Sequence, residues 1–152
     1  MSAVIEKKKV LVTGGSGFIG TNLIQNFLDK GMEVLNLDVM PPRSSTHSHV
    51  WHEQDILDKG RVVDLICNFS PDYIFHMAAR TDLNGSDIDD YKTNTKGVSN
   101  VINALNELGK FEKVVFASSM LVCRLGYQPQ HDRDYCPPNA YGESKVSGEE
   151  MV

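Results

Sequence analysis

The chain has 152 residues, 41% of them hydrophobic and 23% charged, with a formal net charge of −5. That size and balance suit one globular domain with a real core. They exclude a basic nucleic-acid-binding surface, and no apolar run approaches the roughly 20 residues that a membrane-spanning helix needs.

Residues 1–9 are short, mixed and charged, unlike a signal peptide. An apolar run over 9–13 reads as a buried strand, and helical periodicity follows over 17–30, with Gly31 as a fitting stop. A second strand is expected at 33–38, a proline-marked loop at 41–46 and a short third strand at 50–53. Residues 58–69 carry apolar side chains at helical spacing, and Pro71 ends that helix. Strand four is expected at 73–76, a helix at 86–108 closed by Gly109, and strand five at 113–117. A long loop with Pro129, Pro137 and Pro138 fills 124–138, and a last helix opens at 139 and runs to 152. Strands alternating with helices predict a doubly wound α/β fold: a parallel sheet with right-handed crossovers and helices on both faces.

The junction of the first strand and helix carries the strongest signal. Thr13-Gly14-Gly15-Ser16-Gly17-Phe18-Ile19-Gly20 spaces three glycines so that a dinucleotide pyrophosphate can rest on a helix N-terminus. Gly14 permits the tight turn, Gly17 lets the main chain approach phosphates, and Gly20 lets the helix pack close to the strand. Asp38 closes the second strand, 18 residues past the last glycine, where a carboxylate accepts ribose hydroxyls and repels a 2′-phosphate. NAD is therefore favoured over NADP, a preference that Arg43 can soften.

The second signal is Tyr141-Gly142-Glu143-Ser144-Lys145. Positions i and i+4 share a helix face, so the Lys145 ammonium can sit near the Tyr141 phenol, stabilise its phenolate and make it an acid/base group. Ser118 and Ser119 follow the fifth strand, at the carboxyl edge where open sheets bind ligands. His47, His49 and His52 cluster without a partner set at ligand spacing, so no metal is expected. Cys67, Cys123 and Cys136 are odd in number and widely spaced, as for free thiols in a reducing cytoplasm.

These features together, with Asp55-Ile56, His76-Met77-Ala78-Ala79 and Asn94, resemble the extended short-chain dehydrogenases/reductases. More narrowly, they are similar to the NAD-dependent epimerase/dehydratase family acting on nucleotide sugars. The resemblance implies NAD as cofactor, with the main chain at Phe18 and Ile19 against the pyrophosphate and Asp55 and Ile56 around the adenine. It implies Ala78, Ala79 and Arg80 on the nicotinamide side, Asn94 ordering the site, Ser119 as the catalytic hydroxyl, Tyr141 as acid/base and Lys145 as its tuning partner. Val122-Cys123-Arg124 stands where the family carries Val-Tyr-Gly. Met120 and Leu121 stand where its 4,6-dehydratases carry Asp-Glu, which disfavours dehydration and leaves an epimerase or a dehydrogenase/reductase. Family members continue into a smaller domain that grips the sugar. Residues 1–152 are thus expected to be a truncated cofactor-binding domain without that C-terminal substrate domain, either competent in hydride transfer or binding NAD without turnover. A fragment of this kind is expected to self-associate, as a homodimer or a higher assembly, by domain exchange or by pairing through the family's helix bundle at 86–108 and 139–152.

Overall fold

The computed structural model describes residues 7–152, so most of the N-terminal reading on 1–9 lies outside the described residues. The elements are β1 (Lys9–Thr13), α1 (Phe18–Asp29), β2 (Glu33–Asp38), β3 (Trp51–Glu53), α2 (Lys59–Phe69), β4 (Tyr73–His76), α3 (Lys92–Leu108), β5 (Lys113–Phe116) and α4 (Ala140–Met151). Among the described residues the strands form one parallel sheet in the order β3-β2-β1-β4-β5. The order reverses between β1 and β4, and that switch point opens a crevice at the carboxyl ends of the strands.

The central strand is buried on both faces, which is why it reads as an unbroken apolar run rather than an alternating one. Leu11 packs on one face with Leu37, Ile74, Val62, Ile66, Val101 and Leu105, so this face is covered by α2 and α3. Val10 and Val12 point the other way, against Ile24 of α1 and Val34 of β2. Phe27 of α1 meets Phe75 of β4 there with ring centroids 5.1 Å apart. Each such apolar side chain contributes about 1.5–3 kcal/mol on burial, so the two faces hold the turn between β1 and α1 from both sides.

Beyond shifts of a residue at several other element ends, the structure departs from the sequence reading in three places. A 3-10 turn at Ser45–Val50 replaces part of the expected loop and delays β3 by one residue. The helix expected over 86–108 is split: a 3-10 turn at Ile88–Tyr91 precedes α3. Asp87 and Asp90 form a reciprocal capping box there. Tyr91 then leaves helical geometry to bury its ring, and its hydroxyl bridges the Gly85 amide and the Asp82 carbonyl. Finally, a 3-10 turn at Met120–Val122 follows β5, and residues 123 and 136 meet in an isolated parallel bridge that closes the base of the long loop.

Candidate active site

The turn between β1 and α1 is a steric product of its glycines. Gly14 has φ +69°, and a Cβ there would lie 2.5 Å from the Ala78 amide nitrogen. A Cβ on Gly20 would collide with the Gly14 carbonyl and lie 2.5 Å from the Gly15 Cα. Gly15 is bounded by side chains instead, Asn36 and the Ile24 Cδ1 at 2.5 Å, a closeness that the sequence motif does not disclose. Gly17 is the N-cap of α1 and leaves the helix without a side-chain cap and without an acid in its first turn. The amides of Phe18, Ile19 and Gly20 therefore open towards the crevice with the positive end of the helix dipole, which is the geometry an anion needs.

The crevice has a volume of about 880 Å³, and its walls include Gly14, Gly17, Phe18, Ile19 and Gly20. At one end Asp38, Arg43, Asp55 and Ile56 line it. The Asp38 carboxylate accepts the Ser16 and Met40 amides, both at 2.9 Å, so its oxygens are fixed in direction yet keep lone pairs for further donors. Arg43 donates its Nε to the Ser16 carbonyl at 3.2 Å beside it. Asp55 accepts the Leu57 amide at 2.9 Å, and Ile56 is part of the core.

At the other end Ala78, Ala79, Ser118 and Tyr141 line the same crevice. Thr13 and His76 fix the exit from β4: their side chains bond at 2.7 Å, and the Ala78 amide donates to the Thr13 hydroxyl at 3.3 Å. His76 is buried, and its Nε2 has no partner among the described residues. Burial first, and then the charge of Lys145, push its pKa down to about 4, so the imidazole is neutral.

Arg80 and Asn94 stand one layer back and do not line the crevice. The Arg80 guanidinium binds Asp82 and the Asp90 carbonyl and lies 5.0 Å over the Tyr91 ring. Asn94 is buried; its Oδ1 accepts the Arg80 amide at 2.8 Å, and its Nδ2 donates to the Arg80 carbonyl and to the Ser144 hydroxyl at 2.9 Å. Ser144 in turn donates to the Tyr141 carbonyl at 2.6 Å. One amide side chain thus ties the segment after β4 to the turn of α4 that carries the tyrosine.

Asn139 caps α4 by accepting the Gly142 amide at 2.9 Å, which sets the first helical turn. Tyr141 is buried to 8% exposure, edge-on to Tyr91 at 5.8 Å. Lys145 lies one turn on, and its ammonium donates to the Ala117 carbonyl at 3.0 Å; burial pulls its pKa down. Ser118 donates its hydroxyl to Glu149, which commits that proton. Ser119 accepts the Leu121 amide at 3.1 Å, and its own proton has no acceptor among the described residues. Glu149 also accepts the Tyr135 hydroxyl at 2.8 Å and was not legible as a site residue, since its partners are 31 and 14 positions away. Among the described residues no three metal-ligating side chains converge, and the buried His47 bonds Gln25.

The sequence profile of the NAD dependent epimerase/dehydratase family matches residues 10–152. The chain belongs to that family. It is 28% identical over 155 residues to a CDP-paratose 2-epimerase of Salmonella typhi, covering 90% of this chain and 46% of the relative. It is 32% identical over 158 residues to a 3-beta-hydroxysteroid dehydrogenase of Mycolicibacterium neoaurum, covering 95% of this chain and 42% of the relative. The solved UDP-glucose 4-epimerase of Brucella ovis in complex with NAD superposes with a TM-score of 0.80 at 26% identity, over 95% of this chain and 46% of that one. The chain thus spans somewhat less than half the length of these relatives. The uncapped α1 amides, the glycine positions that a Cβ would fill and the two carboxylates at the far end fit a dinucleotide of the family's kind.

Proposed function

We propose that this chain is the NAD-binding half of an oxidoreductase of the nucleotide-sugar epimerase type. The observation that carries the reading is that the glycine turn and the Tyr141 phenol line one crevice, which fits a dinucleotide laid from one to the other. The α1 amides hold the pyrophosphate, Asp38 accepts the adenosine ribose hydroxyls and Asp55 faces the adenine. Bound NAD supplies the hydride acceptor.

The chain's own residues supply binding, orientation and proton transfer. Tyr141 takes the proton of a sugar hydroxyl onto its phenolic oxygen, Ser119 donates a hydrogen bond to the same sugar oxygen, and Lys145, anchored on the Ala117 carbonyl, stands one helical turn on. The Asn94–Ser144 bridge holds that turn of α4 in register with the exit of β4. Met120 and Leu121 offer no acid or base beside Ser119, so elimination of water is disfavoured, and re-reduction of the oxidised carbon or simple dehydrogenation remains. A second reading is favoured by the coverage of the relatives: on its own, this chain binds NAD without turning over a sugar, because the matched relatives extend well beyond it.

Titration of the chain with NADH, followed by nicotinamide fluorescence, tests the cofactor site; saturable binding that ADP-ribose displaces is expected, and its absence refutes the proposal. Assays with a panel of UDP-, CDP- and dTDP-sugars, run on this chain and on a full-length form, separate the two readings. Turnover confined to the longer form supports binding without catalysis here, and turnover by the short chain removes it.

A further inference from the structure

The loop between Ser119 and Tyr141 is closed by a pair of thiols. Cys123 and Cys136 are the two partners of an isolated parallel bridge. The Cys136 amide donates to the Val122 carbonyl at 3.0 Å, and the Arg124 amide donates to the Cys136 carbonyl at 2.8 Å. Directly paired residues on adjacent strands are about 4.7–4.9 Å apart, inside the roughly 4.4–6.8 Å Cα window of disulfides, and in a parallel pair both side chains leave the same face. Both cysteines are free and half-buried. The Cys123 thiol donates to the Asp134 carbonyl at 3.6 Å. The loop between them is tied to itself, with Tyr127 and the Gln130 amide both on the Asp134 carboxylate. Cys123 stands where the family resemblance expects a tyrosine, and neither cysteine lines the crevice that Tyr141 lines.

We propose that Cys123 and Cys136 form a redox-active dithiol that closes to a disulfide on exchange with a low-molecular-weight disulfide, clasping the base of the 124–135 loop beside the active site. One thiolate attacks a sulfur of the small disulfide, forms a mixed disulfide and expels one small thiolate. The second cysteine thiolate then attacks the mixed disulfide at the protein sulfur and expels the other. The two protein thiols are oxidised by two electrons, one small disulfide is reduced to two thiols, and the protons of the cysteines end on the released thiolates. Cys67, on α2 with its thiol towards the Ala104 carbonyl, lies outside the pair and serves as the internal control.

The test is treatment of the chain with oxidised glutathione, blocking of residual thiols with iodoacetamide, and tryptic peptide mapping. Cleavage after Lys113, Arg124, Arg133 and Lys145 separates the two cysteines onto peptides 114–124 and 134–145. A cross-linked pair of these peptides, with blocked Cys67, is expected. In Cys123→Ser the reaction is expected to stop at a mixed disulfide on Cys136. The oxidised wild type should melt about 5–10 °C above the reduced form, since the bridge closes a short loop in the unfolded chain, and dithiothreitol should reverse the shift. Glutathione or the blocking group carried separately on both peptides, a link to Cys67, links only between chains, or an unchanged midpoint would each overturn the proposal. The peptide map of the wild type decides the matter even if a serine variant fails to fold.

Discussion

The two ends of the crevice are built from different materials. The turn between β1 and α1 is shaped by main chain: Gly14 and Gly20 sit where a side-chain carbon would run into backbone, and the donors offered are backbone amides. The end around Tyr141 is held by side chains reaching across the fold, with Asn94 on Ser144, Lys145 on the Ala117 carbonyl and Ser118 on Glu149. Sterics set the first end, and hydrogen bonds between distant segments set the second. The first should therefore fail all at once when a methyl is added, while the second should loosen in steps.

Gly14→Val is the hardest test of the rigid end. It places a β-branched residue at φ +69° against the Ala78 amide, and strain plus overpacking should cost about 4 kcal/mol or more. Urea denaturation should report that loss together with loss of NADH binding; a stable variant that still binds would end the claim that sterics govern this turn. His76 tests the junction of the two ends. Its pKa, pushed down from 6.5 to about 4, means that between those values the unfolded chain takes up a proton that the fold refuses. Stability is fully present above pH 6.5, falls as the pH drops and levels off below about 4, a change of about 3 kcal/mol. Urea midpoints across that range, compared with His76→Gln, should show the slope in the wild type and a flatter profile in the variant.

Tyr141→Phe, made in the full-length protein, should cut turnover by roughly 10²-fold or more while NAD affinity stays nearly constant; unchanged turnover removes the phenol from its role. Asn94→Ala leaves the Arg80 amide and carbonyl and the Ser144 hydroxyl short of a partner, for about 2 kcal/mol. Its signature is a split: ADP-ribose affinity is retained, and turnover in the longer form declines. If ADP-ribose affinity fell equally, the two ends would not be independent. The smallest effect belongs to Asp38→Ala, about 1 kcal/mol in NAD affinity, with a relative gain for NADP that competition titration can read; equal discrimination in the variant contradicts the ribose assignment.

The same contrast explains what the sequence could disclose. Strand and helix placement followed from local apolar spacing, and Gly14, Gly17 and Gly20 stand close enough together to be read as a turn. Tyr141 and Lys145 are one helical turn apart and were equally visible. Glu149 and Ser144 were not, because their partners are brought together only by the sheet: Ser144 meets Asn94 from 50 positions away. Arg80 shows the converse, since the family resemblance implies a place on the nicotinamide side while its guanidinium turns to Asp82 and the Tyr91 ring. Tyr91 itself lay hidden inside a helical pattern that its buried ring interrupts.

A cradle made of peptide groups has an evolutionary corollary. Amides present the same donors whatever side chains surround them, so substitutions elsewhere can accumulate without moving the place where a diphosphate rests. Selection on such a scaffold is free to rewrite specificity from the side-chain-built end while inheriting the other unchanged.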